Sequence, residues 1–187
     1  MSVRCQIGPE SRDGNWIVIQ RRDKGKETFF RGWDDYKNGF GDLKTEFFYG
    51  LEKIHRMTNH ELMQLGFIFK RRSSSEYWQI VKQFEISDEN SNYKIVECNQ
   101  EYGKFPHQFV HHLNYEFSTY DRKNDNHDKE NCALTYRSGW WFHKCFRVNL
   151  NAIYKKSSNK NIPNCIRWAG IEECLEFTMM MLRPSPN

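Results

Sequence analysis

Thiols, imidazoles and carboxylates are the side chains of this sequence that could do chemistry, and their spacing decides which chemistry. Six cysteines are present: Cys5, Cys98, Cys132, Cys145, Cys165 and Cys174. No two stand as Cys-x-x-Cys, the spacing that zinc ribbons and redox-active dithiols use. An even count suits disulfides in an oxidising compartment. Yet the opening MSVRCQIGPESRDG has no apolar run of the kind a signal peptide needs. The chain is therefore either a piece of a longer secreted protein or an intracellular one with free thiols. Histidines cluster in HQFVHH, where His107 and His111 would share a face if the stretch were helical, a spacing that could hold zinc. Gln108 follows the first of them, so the glutamate of a metalloprotease pattern is missing. Neither Cys-Gly-x-Cys-Trp nor Gly-x-Ser-x-Gly occurs. Cysteine, histidine and aspartate are thus present without a nucleophile motif, and no enzyme is expected.

The elements that must position these groups are built from an unusual palette. Hydrophobic residues make up 38% of the 187 positions and aromatics 16%. Phe, Tyr and Trp therefore replace aliphatic bulk in the core, and a composition so rich in rings argues against disorder. The length fits one domain. Lys and Arg number 28 against 24 Asp and Glu, with no basic tail, so no nucleic-acid partner is expected. No stretch is apolar enough for a membrane span.

NWIVIQRR (residues 15–22) reads as a β-branched strand. In LEKIHRM, Leu51, Ile54 and Met57 recur at helical spacing between Gly50 and Asn59. ELMQLGFIFK puts Leu65, Phe67 and Phe69 on one face of a strand. YWQIVKQFEI repeats that pattern with Trp78, Ile80, Phe84 and Ile86, interrupted by Lys82. NYKIVEC and the terminal FTMMMLRP read as further strands. The fold class is α+β, mostly antiparallel sheet with short helices. Periodicity fades after about residue 100. Residues 1–100 are read as the scaffold and 101–187 as a loop-rich lobe that shares its core, the place where binding sites tend to sit.

Several long motifs carry a likeness. The segment GNWIVIQRRDKGKETFFRGWDDYKNGFGDLKTEFFYGLEKIHRMTN (14–59) closely resembles the opening of a fibrinogen C-terminal-like domain, of the angiopoietin-like, ficolin and tachylectin type. FSTYDRKND (117–125) resembles the lead-in to that family's calcium loop, and NCALTYRSGWWFHKC (131–145) its second disulfide loop. VNLNAIY and the closing MLRP also fit, in the same order, over essentially the whole chain.

The resemblance implies the fibrinogen C-terminal globular fold and a secreted, non-catalytic recognition module in the extracellular space. Its partner would be a glycan or a cell-surface protein, and the full-length chain would be an oligomer. A second implied reading is a receptor-binding signalling ligand with a vestigial sugar pocket and no calcium. The resemblance implies a Cys132–Cys145 disulfide, which would remove about 3 kcal/mol of unfolded-chain freedom. Trp140 and Trp141 inside that loop are expected to pack as core. It also implies a cis Lys144–Cys145 peptide and a partner for Cys5 upstream of this segment. Within the chain, Cys5, Cys98, Cys165 and Cys174 allow three pairings; Cys165 could join Cys174, or Cys98 could join either one, and the sequence does not choose.

Calcium is the cofactor the family implies, with Asp121 and Asp125 as ligands. Here Lys123 stands where a ligating aspartate is expected, and the loop is one residue longer before Cys132. Both features work against the ion. A shifted set of Asn124, Asn126 and Asp128 supplies little charge. Phe146 stands where the family has a histidine, and WAGIEECLE (168–176) replaces a tyrosine-rich pocket segment. Tyr136, Phe142, Lys144, Phe146 and Trp168 are the candidate ligand contacts. His112 matches a family histidine that precedes the calcium loop.

Overall fold

A computed structural model of the protein describes residues 5–7, 15–71, 76–155 and 164–185. The elements are β1 (Cys5–Ile7), β2 (Asn15–Arg22), α1 (Trp33–Asn38), β3 (Phe40–Gly41), β4 (Phe47–Phe48), α2 (Leu51–His60), β5 (Met63–Lys70), β6 (Tyr77–Ile86), β7 (Ile95–Gly103), β8 (Phe117–Ser118), α3 (Cys132–Tyr136), β9 (Trp140–Trp141), β10 (Val148–Asn149), β11 (Arg167–Trp168) and β12 (Phe177–Pro184). Among the described residues, one antiparallel sheet runs β3-β4-β2-β12-β5-β6-β7, with β1 also on β2. The last strand in sequence, β12, therefore lies in the middle of the sheet, between β2 and β5. The Cys5 side chain, and with it the expected upstream partner, lies outside the described residues.

β5 is buried on both faces along nearly its whole length. Leu65, Phe67 and Phe69 do share one face, as the alternation predicts. The other face is also covered: Trp16 lies against Gly66, where a Cβ would come 2.8 Å from the indole ring. The expectation for β6 needs correction. Leu65 pairs with Val81 but Met63 pairs with Phe84, so a bulge absorbs one extra residue around Lys82 and Gln83. Val81, not Ile80, therefore shares the core face with Phe84. Lys82 marks this change of phase rather than a gap in one face. β7 also differs: it starts at Ile95, not Asn92, and runs to Gly103. Asn92 and Tyr93 take left-handed conformations (φ 55° and 47°) in the preceding turn. β7 thus runs across residue 100. α2 extends three residues past Met57, to His60.

The rest of the chain folds onto the sheet through rings. Phe67 meets Phe109 at 4.8 Å and Trp168 at 5.2 Å, and Trp168 stacks on Phe69 at 5.2 Å. Trp140, Trp141 and Trp168 are fully buried. Buried Gln20 on β2 ties the layers together. Its amide donates to the Leu150 carbonyl (2.9 Å) and to Asn151 Oδ1 (3.2 Å), and it accepts from Thr178 Oγ1 on β12 (3.2 Å).

Candidate functional site

The disulfide loop begins with α3, whose first turn is capped by Asn131 accepting from the Leu134 N–H at 3.0 Å. Cys132 and Cys145 are bonded. Cys165 and Cys174 form a second disulfide, which answers the open pairing. Cys98 is a buried free thiol whose pKa burial pushes well above the ordinary range, with Glu101 and Glu97 adding to the shift. Between the loop cysteines, Trp140 and Trp141 form β9 and pair with β8. Trp141 donates its indole N–H to the Tyr93 carbonyl at 2.8 Å and meets Phe117 edge-on at 5.0 Å. Tyr36 supports the loop from α1. It donates to the Phe29 carbonyl (2.6 Å) and accepts from the Gly139 N–H (3.1 Å). The Lys144–Cys145 peptide is cis.

His112 is a buried link between this loop and β10. Its Nε2 accepts from the Val148 N–H at 3.1 Å, so Nδ1 carries the proton and donates to the Trp141 carbonyl at 2.8 Å. Burial lowers its pKa from the ordinary 6.5 to about 4, against the opposing effect of the Trp141 hydrogen bond. The imidazole is therefore neutral at physiological pH. The turn that carries it, Phe109–His112, is a short 3-10 helix. His107 precedes that turn, so the helical zinc spacing of His107 and His111 does not form. Among the described residues, no group of three or more His, Cys, Asp or Glu side chains is arranged to hold a metal.

Two positions outward from the Phe117–Trp141 strand pair, Tyr115 and His143 stack at 4.7 Å with 12° between their planes. They form a wall between two surface clefts. One, of about 400 Å³, is lined among others by His111, Tyr115, His143, Lys144, Phe146 and Arg147. The other, of about 370 Å³, is lined by Tyr115 and His143 together with Lys94, Asn114, Glu116, Asn124, Asn126 and Phe142.

Of the residues singled out as ligand contacts, Lys144 and Phe146 face the first cleft and Phe142 borders the second. Tyr136 packs edge-on against Phe146 at 4.8 Å and supports it from behind. Trp168 lies apart from them: it is wholly in the core, with its indole donating to the Pro106 carbonyl at 3.2 Å. Ile171 is also buried, and Glu173 pairs with Arg71 at 3.3 Å. Sequence reasoning did not nominate Tyr115, His143 or Arg147. Tyr115 and His143 meet only through the β8–β9 pairing, which a two-residue strand does not announce.

The two carboxylates singled out for calcium diverge. Asp121 accepts the Trp33 N–H at the start of α1 (3.0 and 3.2 Å) and the Thr119 hydroxyl (2.6 Å). It serves a helix N-terminus, where an anion is favoured. Asp125 is buried and accepts from the N–H groups of His127 (3.0 Å) and Cys132 (3.2 Å). Its cation is Lys123, whose Nζ lies 3.1 Å from Asp125 Oδ1. The same Nζ donates to the carbonyls of Asp125 (2.9 Å) and His127 (3.0 Å). Asp128 is solvent-exposed, 3.9 Å from Lys144. These residues do not fit the family's ligand set, because a side-chain ammonium already sits among the oxygens.

Among the described residues, no helix is long and apolar enough to cross a membrane. Tenascin-R of Mus musculus is 37% identical over 184 residues, covering 98% of this chain and 13% of the relative. Tenascin of Gallus gallus is 34% identical over 185 residues, covering 99% of this chain and 10% of the relative. The chain thus spans a small part of the length of each. The solved fibrinogen-like globe domain of human ANGPTL2 superposes with a TM-score of 0.89 at 31% identity, covering 98% of this chain and 86% of that one. Lamprey fibrin D-dimer, solved in complex with the peptide ligand Gly-His-Arg-Pro-amide, gives 0.86 at 28% identity, covering 99% of this chain and 65% of that one. A family model, fibrinogen beta and gamma chains, C-terminal globular domain, matches residues 1–185. By that match and by the identity to its relatives, the chain belongs to the family of fibrinogen C-terminal globular domains.

Proposed function

We propose that the chain is a non-catalytic, extracellular recognition module whose ligand is a protein on a cell surface, engaged in the paired clefts beside the disulfide loop. The observation that carries this reading is the Tyr115–His143 stack, a rigid aromatic wall shared by openings of about 400 and 370 Å³. Such openings suit single side chains or a short peptide segment. Lys144 and Arg147 are exposed on the rim, and half-buried Phe146 supplies an apolar floor. A partner that presents an acidic side chain beside an apolar one satisfies both. Two disulfides accord with an oxidising compartment. The peptide bound to the lamprey fibrin relative supports a peptide over a sugar. So does the withdrawal of Trp168 into the core, which leaves that ring no face for a sugar. In a longer chain that assembles as an oligomer, several weak clefts would act together.

Binding of the tagged chain to intact cultured cells, read by flow cytometry, tests the reading. The double variant Lys144→Glu with Arg147→Glu is expected to lose about tenfold or more in binding, at an unchanged melting temperature. Protease shaving of the cells is expected to abolish binding, and glycosidase treatment to leave it. Undiminished binding by the folded double variant overturns the proposal. Loss of binding to glycosidase alone overturns the protein ligand.

A further inference from the structure

The Lys123 ammonium stands among three protein oxygens: it donates to the Asp125 carbonyl at 2.9 Å and the His127 carbonyl at 3.0 Å, and is ion-paired with Asp125 Oδ1 at 3.1 Å. Two backbone carbonyls and a buried carboxylate are the donor set a hard cation prefers. Their distances from Nζ are those of N–H···O bonds rather than the 2.3–2.6 Å of calcium. The Asp125 carboxylate is wholly buried, so a charge beside it is required rather than decorative. That carboxylate also holds the Cys132 N–H. The chain of contacts thus runs from the lysine to the disulfide, while Asn126 donates its N–H to the His143 carbonyl at 3.1 Å on the cleft wall. The other acidic candidate, Asp121, is engaged at the start of α1.

We propose that the Lys123 ammonium is a built-in replacement for a metal ion: a covalently attached cation around which residues 123–132 fold. The disulfide loop and its clefts are then held in shape independently of calcium. The inference rests on the loop alone and stands whatever the clefts bind.

Thermal melts of the 187-residue chain, with calcium chloride or with a chelator, test it. The wild-type melting temperature is expected to be the same in both. Lys123→Met, which keeps the stem and removes the charge, is expected to melt about 5 °C or more lower in both, because the buried Asp125 carboxylate keeps its two backbone N–H donors but loses its counter-charge. Lys123→Asp exposes the oxygens and adds a carboxylate; it is expected to melt higher with calcium than with chelator. Saturable stabilisation of the wild type by calcium overturns the proposal, as does a Lys123→Met variant that melts with the wild type. A folded Lys123→Asp variant indifferent to calcium shows that the oxygens are no cation site, and also overturns it. If Lys123→Asp does not fold, the wild type and Lys123→Met decide the matter.

Discussion

Mild acid is expected to loosen this protein through one imidazole. His112 is fully buried and accepts a backbone N–H at Nε2, so protonating it in place would set two N–H groups face to face. The nearby charges that bear on it, those of His111 and Arg147, disfavour a second positive charge. The folded pKa is about 4 against 6.5 for a free imidazole. A lowered folded pKa means that the unfolded chain binds the proton first. Stability is therefore complete above the unfolded value and falls as pH drops from about 6.5 towards 4. Two-state linkage gives a loss of about 2 kcal/mol by pH 5 and about 3 kcal/mol below pH 4. At pH 5 that is a fall of about 4–8 °C in melting temperature for a chain of this size. Glu46, Glu52 and Glu89 are also held below the usual carboxylate range. Their losses begin only below about pH 4.5, so they leave the interval from 7.5 to 5 to the histidine. Urea titrations at a series of pH values measure the slope, with His112→Gln as the partner variant. His112→Gln is expected to be less stable at pH 7.5 and flatter between 7.5 and 5. Parallel stability curves for the two proteins would refute the reasoning.

Three further outcomes follow from packing. Gly139→Ala is expected to cost about 1–3 kcal/mol, because its Cβ would stand 2.5 Å from the Tyr36 ring, which the Phe29 and Gly139 hydrogen bonds hold in place; chemical denaturation reads it. Glu46→Ala is expected to cost about 3–5 kcal/mol by the same measurement. It strips the N–H groups of Asp23, Gly25, Lys26 and Glu27 of their acceptor and leaves buried Arg22 without its carboxylate at 3.7 Å. Cys98 is expected to resist iodoacetamide in the native protein and to react at the rate of unfolding, as peptide mapping by mass spectrometry will report; prompt alkylation would place it at the surface.

How much of this was legible beforehand depended on whether the signal was local. β2, β5 and β12 carry their own β-branched or apolar runs, and they appear where the alternation puts them. The helix after Gly50 was legible from Leu51, Ile54 and Met57. β6 misled because a bulge shifts the alternation by one residue, and nothing in QIVKQF encodes a bulge without its partner strand. β7 misled because Asn92 and Tyr93 look extended in sequence yet turn left-handed in the fold. At the site, the Cys132–Cys145 loop and its buried tryptophans were legible from a long motif. The Tyr115–His143 wall was not, since it exists only after two short strands pair across the lobe. Lys123 was legible as a misfit among acids, but its three oxygens became visible only once Asp125 and His127 curled back on it.

The central place of β12 reaches beyond architecture, into synthesis. A ribosome releases β2 before Phe177–Pro184, which follows every other strand described, yet among the described residues the backbones of β2 and β5 are bridged by that late arrival. Until it emerges, both long strands offer bare edges to any neighbouring polypeptide. A frameshift or early stop that removes these few residues would leave the nascent sheet without its central strand, its two ladders unpaired along their facing edges.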